Sequence, residues 1–148
     1  MSNRAILLVE DNPDDVALTL RALKKHLITN KVVVMRDGQE ALDYLFGGGE
    51  HEGCAPKELP TVILLDLKLP GVDGLEVLQQ LRADQRTKLV PVVVLTSSKE
   101  EQDMISSYKC GANSFVRKPV EFGQFAEAVR QLGLYWLLFN EPPPPAGD

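Results

Sequence analysis

Five short, mainly apolar runs, each followed by a segment with helical periodicity, constrain the fold of this chain more than any other feature. The runs are residues 5–9, 32–35, 62–65, 90–95 and 114–116. Continuous apolar runs of this length are typical of strands that are covered on both faces. Such strands, joined by single helices with right-handed crossovers, form a doubly wound α/β domain around a five-stranded parallel sheet.

Helix-start signals lie between these runs. Asn12 before Pro13 is a favourable N-terminus for a first helix, in which apolar residues recur at helical spacing. Ser98-Lys-Glu-Glu101 has the form of a capping box that opens a fourth helix to about residue 109. The remaining helices are predicted at residues 39–46, at residues 75–81 and from residue 122 onward.

Two stretches fall outside this alternation. Residues 47–60 contain three consecutive glycines and form a loop that is longer than a usual connection from helix to strand. Residues 141–148 contain four consecutive prolines, which exclude a helix and favour an extended tail. The sequence therefore predicts one domain over residues 1–140, including the C-terminal helix, and a proline-rich tail at residues 141–148.

Length and charge exclude several classes of function. A chain of 148 residues can bury one sizeable core, and its formal net charge of −5 argues against a broad nucleic-acid surface. The apolar runs are too short to cross a membrane, and the first ten residues lack the layout of a signal peptide. We expect a cytoplasmic protein that contacts neither membranes nor nucleic acid directly. Cys54 and Cys110 have no disulfide or metal-binding spacing and are interpreted as free thiols.

Carboxylates follow two of the predicted strands. Glu10 and Asp11 come directly after the first strand, and Asp66 follows the third. Because the carboxyl ends of parallel strands meet at one edge of the sheet, we expect these side chains to converge. Carboxylates ~4 Å apart repel one another, so a cluster of them needs a cation to neutralise it. Their hard oxygen atoms are ligands that suit Mg²⁺. The pattern indicates a magnesium site, although solvated loop acids would also account for the acids alone.

Two more polar residues end strands at the same edge. Thr96 ends the fourth strand with a hydroxyl that can donate to a phosphoryl oxygen, and Lys118 follows the fifth with an ammonium that can pair with it. Each residue has a simpler interpretation, Thr96 as a strand-end cap and Lys118 as a surface charge. Their arrival at the edge that carries the acids favours phosphate chemistry.

Four motifs resemble the signatures of the response-regulator receiver family. They are VEDNP at residues 9–13, LDLKLP at 65–70 followed by Asp73-Gly74, LTS at 95–97 and FVRKP at 115–119. The resemblance spans about residues 4–136 and implies a flavodoxin-like sheet with strand order 2-1-3-4-5. It also implies a phosphoacceptor switch, not a turnover enzyme, that receives its phosphoryl group from a sensor histidine kinase.

The resemblance assigns roles to these residues. Asp66 is the expected nucleophile, which forms an aspartyl phosphate. The carboxylates of Asp11 and Asp66, with the backbone carbonyl of Lys68, are expected to bind Mg²⁺, and Glu10 is expected to reach the ion through water. Lys118 and the metal would offset charge on the transferring group.

The same resemblance implies a conformational switch. Thr96 is expected to move toward the new phosphate, and Phe115 to rotate inward into the space that it vacates. Without the resemblance Phe115 is equally well a core residue. The Lys118–Pro119 bond resembles the family's cis peptide, a state that bonds before proline reach at modest cost.

The chain also resembles a subgroup of that family. The loop at residues 47–60, VEDNPDD at residues 9–15 and LGLYWLLFNEPPPP at residues 132–145 are similar to the small response regulators of bacterial and cyanobacterial phytochrome kinases. This resemblance implies a phytochrome-type histidine kinase as the partner.

The fifth helix is predicted to be apolar on more than one side. One face suffices to cover the sheet, and further apolar residues lie around it: Leu134, Tyr135, Leu137, Leu138 and Phe139. A helix that is apolar all round is normally buried. We therefore expect these five residues to form a homodimer interface. The alternative is that they fold back over the protein's own core.

Two other classes of function remain as alternatives. One is a phosphohydrolase with an aspartate nucleophile. Such enzymes carry a D-x-D motif whose second aspartate is the acid-base, whereas this chain has Asp66-Leu-Lys68 and lacks that second acid. A receiver-like adaptor that acts without phosphorylation usually lacks one of the acids or the lysine, and all are present here.

Overall fold

The computed structural model describes residues 4–25, 30–49, 58–119, 121–141 and 143. Within these ranges, five strands alternate with five helices. The strands are β1 (Ile6–Val9), β2 (Val32–Met35), β3 (Val62–Leu65), β4 (Val92–Thr96) and β5 (Ser114–Arg117). The helices are α1 (Pro13–Lys25), α2 (Gly38–Phe46), α3 (Gly74–Ala83), α4 (Glu101–Lys109) and α5 (Phe122–Leu134), which continues as a π-helical turn over Tyr135–Phe139.

All pairings in the sheet are parallel, and the strand order is β2-β1-β3-β4-β5. The strand order reverses at β1. As a result, α1 and α5 lie on one face of the sheet, and α2, α3 and α4 lie on the other. The predicted doubly wound α/β architecture and its strand order are confirmed. Strands β1, β3 and β4 are buried along their whole lengths, which explains their continuous apolar sequences.

Each face of the sheet has its own apolar core. One core joins alternate residues of the central strands to α2 and α3, with Leu42, Leu45 and Leu78 among its buried members. The other joins the opposite faces of the same strands to α1 and α5, through Leu23, Phe125 and Val129. The two cores hold the sheet rigidly between helices, so its carboxyl edge is a fixed platform for side chains.

Two predicted boundaries are wrong by a few residues. The fourth strand begins at Val92, not at residue 90, because Pro91 has no N–H to donate to the sheet. The fourth helix begins at Glu101, and its N-cap residue makes no side-chain cap. The Ser98 hydroxyl donates to the Asp103 carboxylate at 2.6 Å, and its oxygen accepts from the Glu100 N–H at 3.3 Å, two residues along the chain and before the helix begins.

The C-terminal helical segment departs in part from the predicted dimer interface. Leu137, in the π-helical turn, packs in part against the core that joins the sheet to α1 and α5. Tyr135 and Phe139 stay exposed, at 51% and 73% of their surface, and Leu134 is half-buried. The side chain of Leu138 lies outside the described part of the structure.

Three predictions concern stretches that the structure describes only in part. Residues 50–57 of the long loop lie outside the described residues, as do residues 26–29, where the first helix was expected to continue. Of the predicted tail, residues 141 and 143 are described. Within the described ranges, no helix has the length and apolar character to cross a membrane.

Candidate functional site: an acidic pocket at the carboxyl edge of the sheet

Backbone hydrogen bonds of the sheet continue one residue past the strands and fix three site residues. The Glu10 N–H donates to the Met35 carbonyl at 3.0 Å, and the Asp66 N–H donates to the Val9 carbonyl at 3.1 Å. The Lys118 N–H donates to the Thr96 carbonyl at 2.7 Å. The backbones of the functional residues are thus extensions of the sheet, which gives their side chains little freedom to move apart.

Three carboxylates converge at this edge, as the sequence predicts. Glu10, Asp11 and Asp66 each offer an oxygen, and these oxygens all lie within 4.8 Å of one another. Glu10 and Asp66 are buried, with 3% and 5% of their surface exposed, whereas Asp11 is exposed. A cluster of hard oxygens that is open to solvent on one side fits a divalent cation that keeps part of its water shell.

Lys118 lies among the acids. Its ammonium donates to Glu10, to Asp15 at 2.8 Å and to Asp66 at 3.1 Å, and 7% of its side-chain surface is exposed. A lysine ammonium has three N–H donors, so each finds a carboxylate. One positive charge therefore faces several negative ones, and the site carries excess negative charge.

Burial and the neighbouring charges shift the pKa values of Glu10 and Lys118. Burial raises the pKa of Glu10 from 4.5 to about 7, and the charge of Asp66 acts in the same direction against the hydrogen bond from Lys118. Burial by itself lowers the pKa of Lys118, but the hydrogen bonds to Asp15 and Glu10 outweigh it and leave the pKa above its usual value. The ammonium stays charged, and the surplus is a negative charge that a cation would stabilise.

The loop after β3, which begins with Asp66, is held by close packing against α3. The Lys68 N–H donates to Asp66 Oδ1 at 3.3 Å, and the Gly74 N–H donates to the Leu67 carbonyl at 3.0 Å. A Cβ on Gly74 would lie 2.3 Å from the Asp66 carbonyl oxygen, so only glycine permits this approach. The Asp73 carboxylate caps α3 by accepting from the Glu76 N–H at 3.0 Å.

A cavity of about 450 Å³ opens beside the acids. Asp11, Lys68, Asp73 and Asp103 line it together with apolar residues of the loop after β3. The Lys68 ammonium points across this cavity to the Asp103 carboxylate, 3.5 Å away.

Thr96 and Phe115 lie in neighbouring strands next to the acids. Thr96 is fully buried, and its hydroxyl oxygen accepts from the Ser98 N–H at 3.3 Å. Phe115 is half-buried on β5, one of the two outer strands of the sheet. Their predicted roles as a switch pair depend on a second conformation and remain a prediction.

The predicted cis peptide at Lys118–Pro119 is wrong. The described residues contain no cis peptide bond, so this bond is trans. The trans form is the preferred one by about 0.5–1 kcal/mol for a bond before proline. Lys118 makes all three of its carboxylate contacts with the trans bond.

Asp15 is a site residue that the sequence analysis missed. It lies in the first turn of α1, and its carboxylate accepts from the Lys118 ammonium at 2.8 Å. A signal was available, because the helix that follows β1 begins at the same edge of the sheet where the acids converge. An acid in that first turn is also the usual complement of a helix dipole, which gave Asp15 a simpler explanation.

Comparison with known proteins agrees with this site. The family model of the response regulator receiver domain matches residues 6–130. The chain belongs to the response regulator receiver family. Its membership, its flavodoxin-like fold and its place among two-component signalling proteins are therefore established, and receiver domains of this family are generally signalling switches that are phosphorylated on an aspartate and bind a divalent metal.

Two similar relatives match nearly their full length. The probable methanogenesis regulatory protein FilR2 of Methanothrix harundinacea is 43% identical over 141 residues, which cover 95% of this chain and 88% of the relative. Response regulator Rcp1 of Synechocystis is 38% identical over 134 residues, covering 90% of this chain and 89% of that protein.

Solved structures of phytochrome response regulators share the fold of this receiver. The phosphorylated cyanobacterial phytochrome response regulator RcpA superposes with a TM-score of 0.89 at 37% identity, covering 97% of this chain and 100% of that one. Rcp1 in its Mn²⁺-bound form gives 0.88 at 37% identity, covering 95% and 99%. The bacteriophytochrome response regulator AtBRR gives 0.74 at 56% identity, covering 95% and 100%. The predicted similarity to phytochrome response regulators is confirmed.

Proposed function

We propose that this receiver accepts a phosphoryl group on Asp66 from a sensor histidine kinase and signals through the resulting change of conformation. The observation that carries the proposal is the position of the Asp66 carboxylate. It is buried at the carboxyl edge of the sheet, within reach of the Lys118 ammonium on one side and of two metal-binding acids on the other. The Lys118 ammonium therefore contacts the proposed nucleophile, and the acids that would hold a divalent cation lie beside it.

The chemistry of the transfer is a substitution at phosphorus. A carboxylate oxygen of Asp66 attacks the phosphorus of a kinase phosphohistidine, and an acyl phosphate bond forms. The bond from phosphorus to the imidazole nitrogen breaks, and that nitrogen keeps the electron pair. Lys118, which already donates to Asp66, is placed to pair with an oxygen of the transferring group.

A divalent metal, which we take to be Mg²⁺, would bind at the same acids. The carboxylates of Asp11 and Asp66 and the backbone carbonyl of Lys68 are the proposed ligands, with Glu10 reaching the ion through water. The cluster of oxygens within 4.8 Å and the Mn²⁺-bound form of Rcp1 support a divalent site. When bound, the ion offsets charge on the phosphoryl oxygens.

The response would pass through Thr96 and Phe115. Thr96 ends β4 beside Asp66, and its buried hydroxyl is well placed to follow a new phosphoryl group. Phe115 has no hydroxyl, so packing alone would set its rotamer. We infer that inward movement of Thr96 makes room for the Phe115 ring, which changes the surface formed by α4 and β5.

The chain's chemistry is proposed to stop at its own phosphorylation and dephosphorylation. The residue two positions after Asp66 is Lys68, and its ammonium pairs with Asp103. A turnover phosphatase would need an acid-base group there, and an ammonium cannot serve as a general base. We therefore expect no sustained hydrolysis of phosphate monoesters.

The kinase is proposed to be of the phytochrome type. The names of RcpA, which is a phytochrome response regulator, and of AtBRR, which is a bacteriophytochrome response regulator, support this partner. A kinase that uses ATP places the encounter in the cytoplasm. The net charge of −5 gives no basis for direct nucleic-acid binding, so the signal would pass by protein contact.

A homodimer through the end of α5 is part of the proposal. Tyr135 and Phe139 are exposed on the π-helical turn, and Leu134 is half-buried beside them. Large apolar side chains that are exposed next to each other favour contact with another protein surface. A second copy would bury the same residues on both sides of a twofold axis. The predicted interface also includes Leu137 and Leu138, and Leu137 packs in part on the core of its own chain.

The phosphoacceptor assignment is tested by labelling. Acetyl phosphate with Mg²⁺ is expected to add one acid-stable, base-labile phosphate to the parent protein, measured by intact mass. Asp66→Asn removes the nucleophile and abolishes the label, whereas Asp84→Asn, at the opposite end of α3, keeps it. Labelling of the Asp66→Asn variant at the parent level would place the phosphate elsewhere.

The kinase assignment needs a separate measurement. A bacterial phytochrome kinase labelled with radioactive ATP should lose its phosphate to the parent receiver within minutes. The Asp66→Asn variant should leave the kinase label intact. If the receiver accepts phosphate from acetyl phosphate but from no phytochrome kinase, the proposed phosphorylation of Asp66 stands and the proposed kinase partner is excluded.

A further inference from the structure

Three acceptors surround the Lys118 ammonium, and they are not equivalent. Glu10 and Asp66 follow β1 and β3 and belong to the group of acids that can hold a metal. Asp15 lies on α1 and does not belong to that group. Its carboxylate accepts from Lys118 at 2.8 Å, a shorter distance than the 3.1 Å to Asp66.

The difference has consequences once the site is loaded. A divalent ion would draw on the oxygens of Glu10 and Asp66, and phosphorylation would convert one Asp66 oxygen into the bridging oxygen of an acyl phosphate. Both changes weaken the hold of those acids on Lys118. Asp15 competes for neither the metal nor the phosphoryl group, so its hydrogen bond to Lys118 is the one that persists.

The backbone around Asp15 is firmly placed. Its N–H donates to the Asn12 side chain at 3.2 Å, and its carbonyl accepts from the Thr19 hydroxyl at 2.8 Å. Thr19 is fully buried, and α1 packs closely along α5. An acid on such a helix can fix the position of a lysine that extends from the end of a different strand.

We propose that Asp15 is a positioning residue, which holds the Lys118 ammonium at Asp66 while the metal and the phosphoryl group occupy the other acids. The inference rests on the proposed phosphorylation of Asp66, and it adds a residue outside the metal ligands to the machinery. Lys118 then remains fixed in the empty, metal-bound and phosphorylated states. Phosphoryl transfer, which depends on such positioning, would be slower without Asp15.

The first test measures the lysine itself. Trace acetic anhydride labels exposed amines, and mass spectrometry compares Lys118 with the exposed Lys99 in the same sample. In the folded parent protein, Lys118 should react far more slowly than Lys99. Asp15→Ala should raise the relative labelling of Lys118 by about tenfold, the change that corresponds to loss of one charge-assisted hydrogen bond.

The chain provides a matched control one residue earlier. Asp14 is an exposed acid in the same first turn of α1, and it is not among the three acceptors of Lys118. Asp14→Ala removes the same charge from the same helix end, so any effect of the helix dipole is common to both variants. It should leave Lys118 labelling at the parent level.

The second test measures the reaction at saturating Mg²⁺. The rate of phosphorylation by acetyl phosphate should fall about tenfold in Asp15→Ala and stay at the parent rate in Asp14→Ala. Asp15→Asn retains an oxygen that can accept from Lys118, so it should recover to within about threefold of the parent. A merely structural role would not give this recovery.

The two tests separate this inference from the proposed function. A parent protein that takes no phosphate overturns the proposed function, and lysine labelling still decides whether Asp15 positions Lys118. Unchanged Lys118 labelling in Asp15→Ala overturns the inference, even if the parent is phosphorylated normally. Should Asp15→Ala fail to fold, Asp15→Asn carries the test, because it keeps the hydrogen bond but loses the charge. A rise of about twofold to threefold in Lys118 labelling, with a matching fall in rate, supports the inference, and parent values for both overturn it.

Discussion

Asp11 differs from the other acids of the metal-binding group in its exposure to solvent. Glu10 and Asp66 are buried and are partly neutralised by Lys118, whereas Asp11 has no contact with that lysine. Its carboxylate therefore contributes to the site chiefly through the metal and through repulsion of its neighbours. At a protein-like effective dielectric, two charges ~4 Å apart repel by about 4 kcal/mol.

The first prediction is that Asp11→Asn weakens Mg²⁺ binding by at least about tenfold, because one of the proposed ligands loses its charge. In metal-free buffer the same change should leave the free energy of unfolding equal or higher, since it removes repulsion. Titration followed by the fluorescence of Trp136 measures the affinity, and urea unfolding measures the stability. Parent-like Mg²⁺ affinity in this variant would count against the carboxylate cluster, and Asp14→Asn is the control.

At the scale of the helices and strands, a glycine decides how closely α3 approaches the loop after β3. Gly74 begins α3, and its missing Cβ is what lets the helix rest on the backbone of Asp66 and Leu67. Gly123 holds a similar position in α5, where a Cβ would meet only the flexible end of the Glu121 side chain at 3.0 Å. The two glycines are a matched pair for testing this contact.

The second prediction is that Gly74→Ala and Gly123→Ala have opposite effects on stability. In an open helix position, alanine is favoured over glycine by about 0.5–1 kcal/mol, which is the gain expected for Gly123→Ala. Gly74→Ala should instead destabilise by about 1–3 kcal/mol, the usual cost of overpacking. Urea unfolding of both variants measures the difference. A stabilising Gly74→Ala would show that the loop can withdraw from α3 without cost.

Arg82 organises the opposite end of the sheet. Its guanidinium donates to the carbonyl oxygens of Gly111, Lys88 and Val90, and to the Asn113 side chain. Asn113 in turn accepts from the Val92 N–H at 2.8 Å, where β4 begins. One side chain thus joins the end of α3 to the starts of β4 and β5, which keeps the ends of those strands, and with them Thr96 and Lys118, in register.

At the scale of the whole molecule, the end of α5 exposes two large apolar residues to solvent, Tyr135 and Phe139. Burying one large apolar side chain is worth about 1.5–3 kcal/mol, and a twofold interface buries each residue twice. Phe139 is the most exposed large apolar residue at this end. Leu89, with 63% of its surface exposed, lies in the loop between α3 and β4 and is the control residue of similar exposure away from α5.

The third prediction concerns the oligomeric state. The parent chain is expected to scatter light as a dimer at micromolar concentration. Phe139→Asp should shift it to a monomer, because a charge would be buried without a partner in the interface. Leu89→Asp should leave the dimer intact. A monomeric parent, or a Phe139→Asp variant that dimerises as well as the parent, would rule out an interface at this end.

The sequence by itself determined the architecture and most of the site. Apolar runs and helical periodicity are local patterns, and parallel strands always bring their carboxyl ends to one edge. Glu10, Asp11, Asp66 and Lys118 follow strands directly, so their convergence could be inferred from strand positions alone. The family resemblance rests on the same residues, and the receiver fold confirmed it.

The tertiary structure decided what depends on contacts between distant parts of the chain. Asp15 and Lys118 are 103 residues apart, and α1 must pack against α5 before they meet. Leu137 packs partly on the core of its own chain, which its place among the predicted interface residues does not anticipate. Each of these outcomes reflects a balance of packing and charge in three dimensions, and no local pattern in the sequence encodes it.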